Sequence, residues 1–216
     1  MTGHAPVRAR PALSGVPTSV HFPAITRDVL ASGLRVWSVH RPALPVVTVA
    51  LVVDTGSAYD PPDQPGLASL SADLLDEGAG GRDAVQLSDA FARLGAHLDV
   101  EAGQELTSLS LTTLSKNLDA VLALLSDVVL RPHLAEADVT RIRELRLNRL
   151  RQMKVSAATA ADRAFLGGVF GPHPYGHGTL GTTRALQAAT LDDVRDRKST
   201  RLNSSHVSES RMPSSA

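Results

Sequence analysis

Apolar residues recur at a period of two near the start of the chain and at a helical period over most of the remainder. Leu34, Val36 and Val39 follow the turn Ala31-Ser32-Gly33, and beyond Pro42 and Pro45 the run VVTVALVV is apolar on both faces. The first pattern predicts a hairpin strand, the second a fully buried strand. Pro61, Pro62 and Pro65 then withdraw amide donors, which predicts a loop over 57–66. Leu67, Leu70 and Leu74 fall at i, i+3 and i+7, so a helix of about three turns is expected over 66–77, stopped by Gly78-Ala79-Gly80-Gly81.

A second helix is predicted over 84–94, closed by Gly95. Leu98, Val100 and Ala102 alternate with His97, Asp99 and Glu101, and after Gly103-Gln104 the segment LTSLSLTTL reads as a strand pairing back antiparallel. Ser115 is placed to cap a helix with the stripe Leu118, Val121, Leu122, Leu125, Val128 and Val129, ended by Arg131-Pro132. Helices over 136–153 and 157–170, a loop over 171–176 and a short helix from Thr183 complete the pattern. Strands leading into helices, then a hairpin, then consecutive helices is an α+β order: a mostly antiparallel sheet packed on one side by several helices.

At 216 residues and 43% hydrophobic composition the chain can bury one substantial core. Residues 1–22, rich in Pro and poor in bulky periodic residues, read as a flexible lead-in, and 23–196 as the single domain. The tail 197–216, RKSTRLNSSHVSESRMPSSA, abandons all periodicity and resembles translated adapter or cloning DNA, so it is expected to be disordered and non-native. The 22 basic and 22 acidic residues cancel, which leaves no global field for nucleic acid or an anionic membrane. Without Cys there are no disulfides or thiolate metal sites. No stretch approaches the roughly 18 apolar residues of a membrane span. The chain therefore reads as soluble and cytoplasmic as written, or periplasmic if the N-terminus is incomplete.

Four collinear segments change the picture. VVTVALVVDTGSAYDPPDQPGLASLSADLLDEGAGGRDA, LGAHLDVEAGQE, SKNLDAVLALLSDVVLRP and GPHPYGHGTLGTTRAL resemble, in this order, the N-terminal-type domain of the insulinase/pitrilysin metallopeptidases, the mitochondrial-processing-peptidase-like family. Active members carry an inverted motif, His-x-x-Glu-His, on the helix that follows the Gly-Leu-Ala here spelled Gly66-Leu67-Ala68. Histidines at i and i+4 hold one zinc ion, the Glu between them takes a proton from metal-bound water, and a third ligand, a Glu, arrives from a later helix.

Laid onto this chain, the motif places Ser69 at the first His, Ala72 at the base and Asp73 at the second His. The distal Glu falls within RELRLNRLRQ, with Arg149 as the best register and Asn148 or Leu150 as its neighbours. Ala72 accepts no proton, Ser69 is a poor zinc ligand and a guanidinium at Arg149 repels a dication, so only Asp73 keeps ligand character. The resemblance implies degenerate positions at Ser69, Ala72, Asp73 and Arg149, with no catalytic residue, metal or other cofactor in this domain. An Asp73–Arg149 ion pair is expected in the vacated site.

Other constellations are weaker. Asp73, Asp76 and Glu77 could in principle hold Ca²⁺ or Mg²⁺ but read more simply as a solvated acidic edge. His173 and His177 lie four apart around Pro174 and Gly176, without the helix that would bring them together. Gly78-Ala79-Gly80-Gly81-Arg82 lacks the ending of a phosphate loop, and no Gly-x-Ser-x-Gly elbow occurs. Arg141, Arg143, Arg146, Arg149 and Arg151 read as solvated or paired with Glu144 and its neighbours, or as the lining of a peptide chamber.

The resemblance thus implies a non-catalytic subunit or half of a bacterial zinc-peptidase complex. It would shape a peptide-binding chamber with a catalytic partner, and the zinc would reside in that partner. The partner is expected to be a catalytic family subunit or the second half of the same polypeptide, and the ligand an unfolded peptide. Two alternatives stay open: a fragment of a metalloprotease whose zinc site lies in a missing segment, and a pure assembly scaffold.

Overall fold

The computed structural model describes residues 21–202; the lead-in expected over 1–22, save its last two residues, and the part from 203 of the tail expected over 197–216 lie outside the described residues. The chain divides into two compact units, one ending at Ala43 and one beginning at Leu44. In the first, β1 (Ile25–Val29) and β2 (Arg35–Val39) form an antiparallel hairpin with Ile25 opposite Val39. Gly33 adopts φ +85° in its turn, and the Arg27 guanidinium lies 4.8 Å from the Trp37 ring centroid across the ladder.

The second unit is built on a three-stranded antiparallel sheet in the order β3-β7-β6, comprising β3 (Val46–Val53), β6 (Leu98–Ala102) and β7 (Thr107–Leu114). The register sets Val49 opposite Leu111 and Leu98 opposite Leu111 from the other side, so one face gathers Val49, Leu51, Leu98, Val100, Leu109 and Leu111. Helices α2 (Ala84–Arg93) and α3 (Leu118–Leu130) cover that face with Leu87, Phe91, Val121, Leu124, Leu125 and Val128. Each fully buried leucine among these stabilises the fold by about 1.5–3 kcal/mol. Thr48, Ala50 and Val52 on the opposite face of β3 are exposed. The expectation of a strand buried on both sides is thereby corrected: apolar residues occupy both faces, but helices pack on only one.

A second core joins α1 (Leu67–Asp73) to α4 (Glu136–Val155), α6 (Thr183–Ala188) and α7 (Leu191–Arg197) through Leu67, Leu70, Val139, Ile142, Leu147, Leu150, Leu186 and Val194. Helix α5 (Ala157–Phe170) contributes no fully buried residue. Local chemistry fixes several helical starts. Asp83 and Gln86 form a capping box on α2, and Thr190 and Asp193 form one on α7.

Three further expectations are corrected. Helix α1 has seven residues instead of about three turns, because Leu74 and Leu75 turn into the core and the glycines beyond do not merely stop a helix. They build the small hairpin β4 (Gly78–Ala79) and β5 (Arg82–Asp83), held by His133 N–H donating to the Gly78 carbonyl (2.8 Å) and Gly80 N–H to the Arg131 carbonyl (3.1 Å). The third lies at Ser115, which opens a 3-10 turn, Ser115–Asn117, and leaves Asn117 at the start of α3. Helix α7 also crosses the boundary expected at 196: it ends at Arg197 and is followed by a helical segment over Lys198–Leu202. Among the described residues, no helix is long and apolar enough to cross a membrane.

Candidate functional site

The two helices that the motif concerns cross at α1 and α4. Ser69 and Asp73, one turn apart on α1, share the side that looks toward α4, whereas Ala72 is buried (2% exposed) against Ala68 and Ala102 of β6. The residue of α4 that reaches the Ser69–Asp73 pair is Arg146. Its Nε donates to the Asp73 carboxylate at 2.7 Å, and its Nη2 donates to the Ser69 carbonyl at 2.6 Å and the Ser69 hydroxyl at 2.8 Å. The Arg146 side chain is 7% exposed, that of Asp73 41%.

This corrects the expected Asp73–Arg149 pair. Arg149 lies one turn further along α4 and is exposed, as is Asn148, while Leu150 is buried in the α1/α4 core. Burial lowers the Arg146 pKa, the Asp73 charge and hydrogen bond pull it back up, and the nearby Arg149 charge lowers it further. The Nη1 of Arg146 is buried without a hydrogen-bond partner among the described residues.

The acidic edge does not converge. Because α1 ends at Asp73, the i, i+3, i+4 spacing does not place Asp73, Asp76 and Glu77 on one helical face. Glu77 accepts from Arg141, which also reaches Asp138. Asp76 lies at a small cavity lined by Leu87, Phe91, His97 and Leu98. Desolvation pushes the Asp76 pKa up to about 6, with Glu77 and Asp73 adding to the rise while its own backbone N–H and His97 oppose it; the residue as a whole is exposed. Among the described residues, no three His, Cys, Asp or Glu side chains are grouped so as to hold a metal ion.

His173 caps the 3-10 turn Pro174–Gly176 by accepting from Tyr175 N–H at 3.2 Å, and its ring meets Tyr175 edge-on at 4.8 Å. His177 lies nearer Asp60, whose carboxylate has a large structural task. Asp60 accepts from the N–H groups of Gly66 (2.8 Å) and Ala68 (2.9 Å) at the start of α1 and from Arg197 of α7 (2.9 Å), with its side chain fully buried. Burial raises its pKa, and Arg197, the two amides and His177 pull it down. Asp60 and Arg146 are the two site-forming residues that sequence reasoning missed. Asp60 sits in a Pro-rich loop like any turn former, and Arg146 is one of five similar arginines.

A sheet covered on one side by helices, with a two-turn helix clasped by a long arginine-rich one, makes an α+β domain. The profile of insulinase (peptidase family M16) matches residues 35–182, and the chain belongs to that family. It is 29% identical over 183 residues to an uncharacterized zinc protease of Mycobacterium leprae, covering 85% of this chain and 39% of that protein. It is 26% identical to cytochrome b-c1 complex subunit 1 of Rattus norvegicus, covering 86% of this chain and 39% of that subunit. Among solved structures, the peptidase M16 inactive domain from Pseudomonas fluorescens superposes with a TM-score of 0.78 at 26% identity, covering 81% of this chain and 43% of that one. The chain spans about two fifths of the length of the curated relatives it matches.

Proposed function

We propose that this chain is a non-catalytic domain of a zinc-peptidase assembly, forming one wall of a peptide-binding chamber whose hydrolytic centre lies in a catalytic partner. That partner is either a separate family subunit or another part of the same polypeptide, and it carries the zinc. The observation that carries the reading is the Arg146 guanidinium seated on Ser69 and Asp73. A catalytic zinc needs about three protein donors and an open position for water. Here the one carboxylate is engaged by a fixed cation, the hydroxyl beside it donates poorly to zinc, and Ala72 offers a methyl group where a base is required. The residues present do not fit the ion, so no hydrolytic step is assigned to this domain.

The wall reading draws on the sheet. Among the described residues, β3 and β6 are the two ends of the β3-β7-β6 ladder, and such edges can accept an extended chain through backbone hydrogen bonds. A second reading, an assembly scaffold without peptide contact, is favoured by the likeness to the rat b-c1 subunit. Metal analysis by inductively coupled plasma mass spectrometry, combined with a fluorogenic peptide assay on the purified chain, tests the central claim. Substoichiometric zinc and no hydrolysis are expected; one zinc per chain together with turnover would overturn it.

A further inference from the structure

Arg146, Leu150 and Lys154 follow one another at i, i+4 and i+8 on α4, so the helical face that carries the guanidinium continues past the motif. It leads into an open cavity of about 350 Å³. Leu150 and Met153 of α4 supply apolar wall, Lys154 and Arg163 supply positive charge from α4 and α5, and Thr182 and Thr183 bring hydroxyls from the start of α6. Among the described residues, no acidic side chain lines it. This differs from the neighbouring arginines of α4, where Arg141 and Arg146 each meet a carboxylate.

Arg163 is fixed in place by donating from Nη2 to the Gly181 carbonyl at 3.0 Å, a contact that leaves its charge uncompensated. Neither Arg163 nor Lys154 forms an ion pair among the described residues. The Thr182 hydroxyl accepts from Ala185 N–H at 3.2 Å and keeps its own proton to donate. Two cations without an ion-pair partner among the described residues, and hydroxyls able to donate, above an apolar floor select an anion that carries an apolar stem. A volume of this size lies within the range of small-ligand sites and accommodates the end of a peptide.

We infer that this cavity is a subsite for a carboxylate on an apolar peptide segment, bound by Lys154 and Arg163 with Leu150 and Met153 beneath the stem. The inference rests on the peptide-wall reading. The carboxylate can be the terminal one or an acidic side chain, and the test separates the two. Fluorescence anisotropy is read with three labelled peptides of one apolar sequence: a free C-terminal acid, its amide, and the amide with one internal Glu. Each is titrated with the wild-type chain, with Lys154→Glu and with Arg163→Gln, which retains an amide donor for the Gly181 carbonyl. Circular dichroism melts verify folding.

The wild type is expected to bind a carboxylate-bearing peptide about tenfold more tightly than the plain amide, with the preference lost in Lys154→Glu and weakened in Arg163→Gln and by added salt. Tight binding of the free acid alone identifies the terminal carboxylate as the source, and equally tight binding of the Glu peptide identifies the side chain. Peptides that bind alike whatever their carboxylates and whichever variant is used would overturn the subsite and leave the wall reading standing. No binding of any peptide to the wild type would overturn both and favour the scaffold.

Discussion

A guanidinium as deeply set as that of Arg146 must find acceptors, because a charge withdrawn from water is tolerated only when paired and hydrogen-bonded. Ser69 provides two oxygens and Asp73 a carboxylate. Asp73→Ala should therefore cost about 1–3 kcal/mol in urea unfolding, toward the lower figure because Asp73 itself keeps contact with water. Arg146→Met, which removes the cation along with its need for a partner, should cost less than Asp73→Ala; the reverse order would show that the pair is not the dominant interaction. Asp76 gives a pH signature. Its folded pKa, near 6, lies above the ordinary carboxylate value, so the folded state takes up the proton first and this group's contribution to stability grows as pH falls from 7 to about 4. Asp76→Asn should abolish that component: thermal melts at pH 7 and pH 5 should show wild type gaining on the variant as pH falls, and parallel melts would refute the assignment. That Ser69 and Asp73 lie one turn apart on one helix was legible because helical spacing is local. That Arg146 and not Arg149 meets Asp73 depends on how far α4 slides along α1, which core leucines decide and no local pattern reveals.

Between elements, a close backbone approach joins the loop before α1 to the loop before α6. Gly66 has φ +101° and Gly181 φ +76°, and a Cβ on Gly181 would lie 1.9 Å from the Pro65 carbonyl oxygen. Gly181→Ala combines left-handed strain with a backbone clash and should destabilise by about 2–4 kcal/mol, read as a lowered melting temperature; an unchanged melt would show that the two loops can separate freely. The same backbone contact sets the entry of α1, whose first amides Asp60 caps. Helices α2, α4 and α5 were legible because apolar spacing and caps are local. The β4/β5 hairpin was not, since its glycines answer to Arg131 and His133 some 50 residues away, and a helix-ending glycine cluster looks the same from nearby.

At the scale of the molecule, the α+β order was readable from the succession of periods, but the one-sided covering of β3 was not. Apolarity on both faces of a strand states what can be buried, and packing partners determine what is. The chain accounts for about two fifths of its relatives' length, so the activity of any larger assembly belongs to the proposal above. The arginine seated between α1 and α4 also bears on descent. On the proposed reading, a histidine at 73 while Arg146 remains would take away the carboxylate of a buried cation, one at 69 would remove the hydroxyl that also accepts from it, and replacing Arg146 first would leave no base at position 72 and the distal ligand still absent. Either histidine alone costs stability, and none of the three steps recovers hydrolysis. Folding itself would then act as a ratchet, holding such a lineage to the non-hydrolytic role once the exchange had been made.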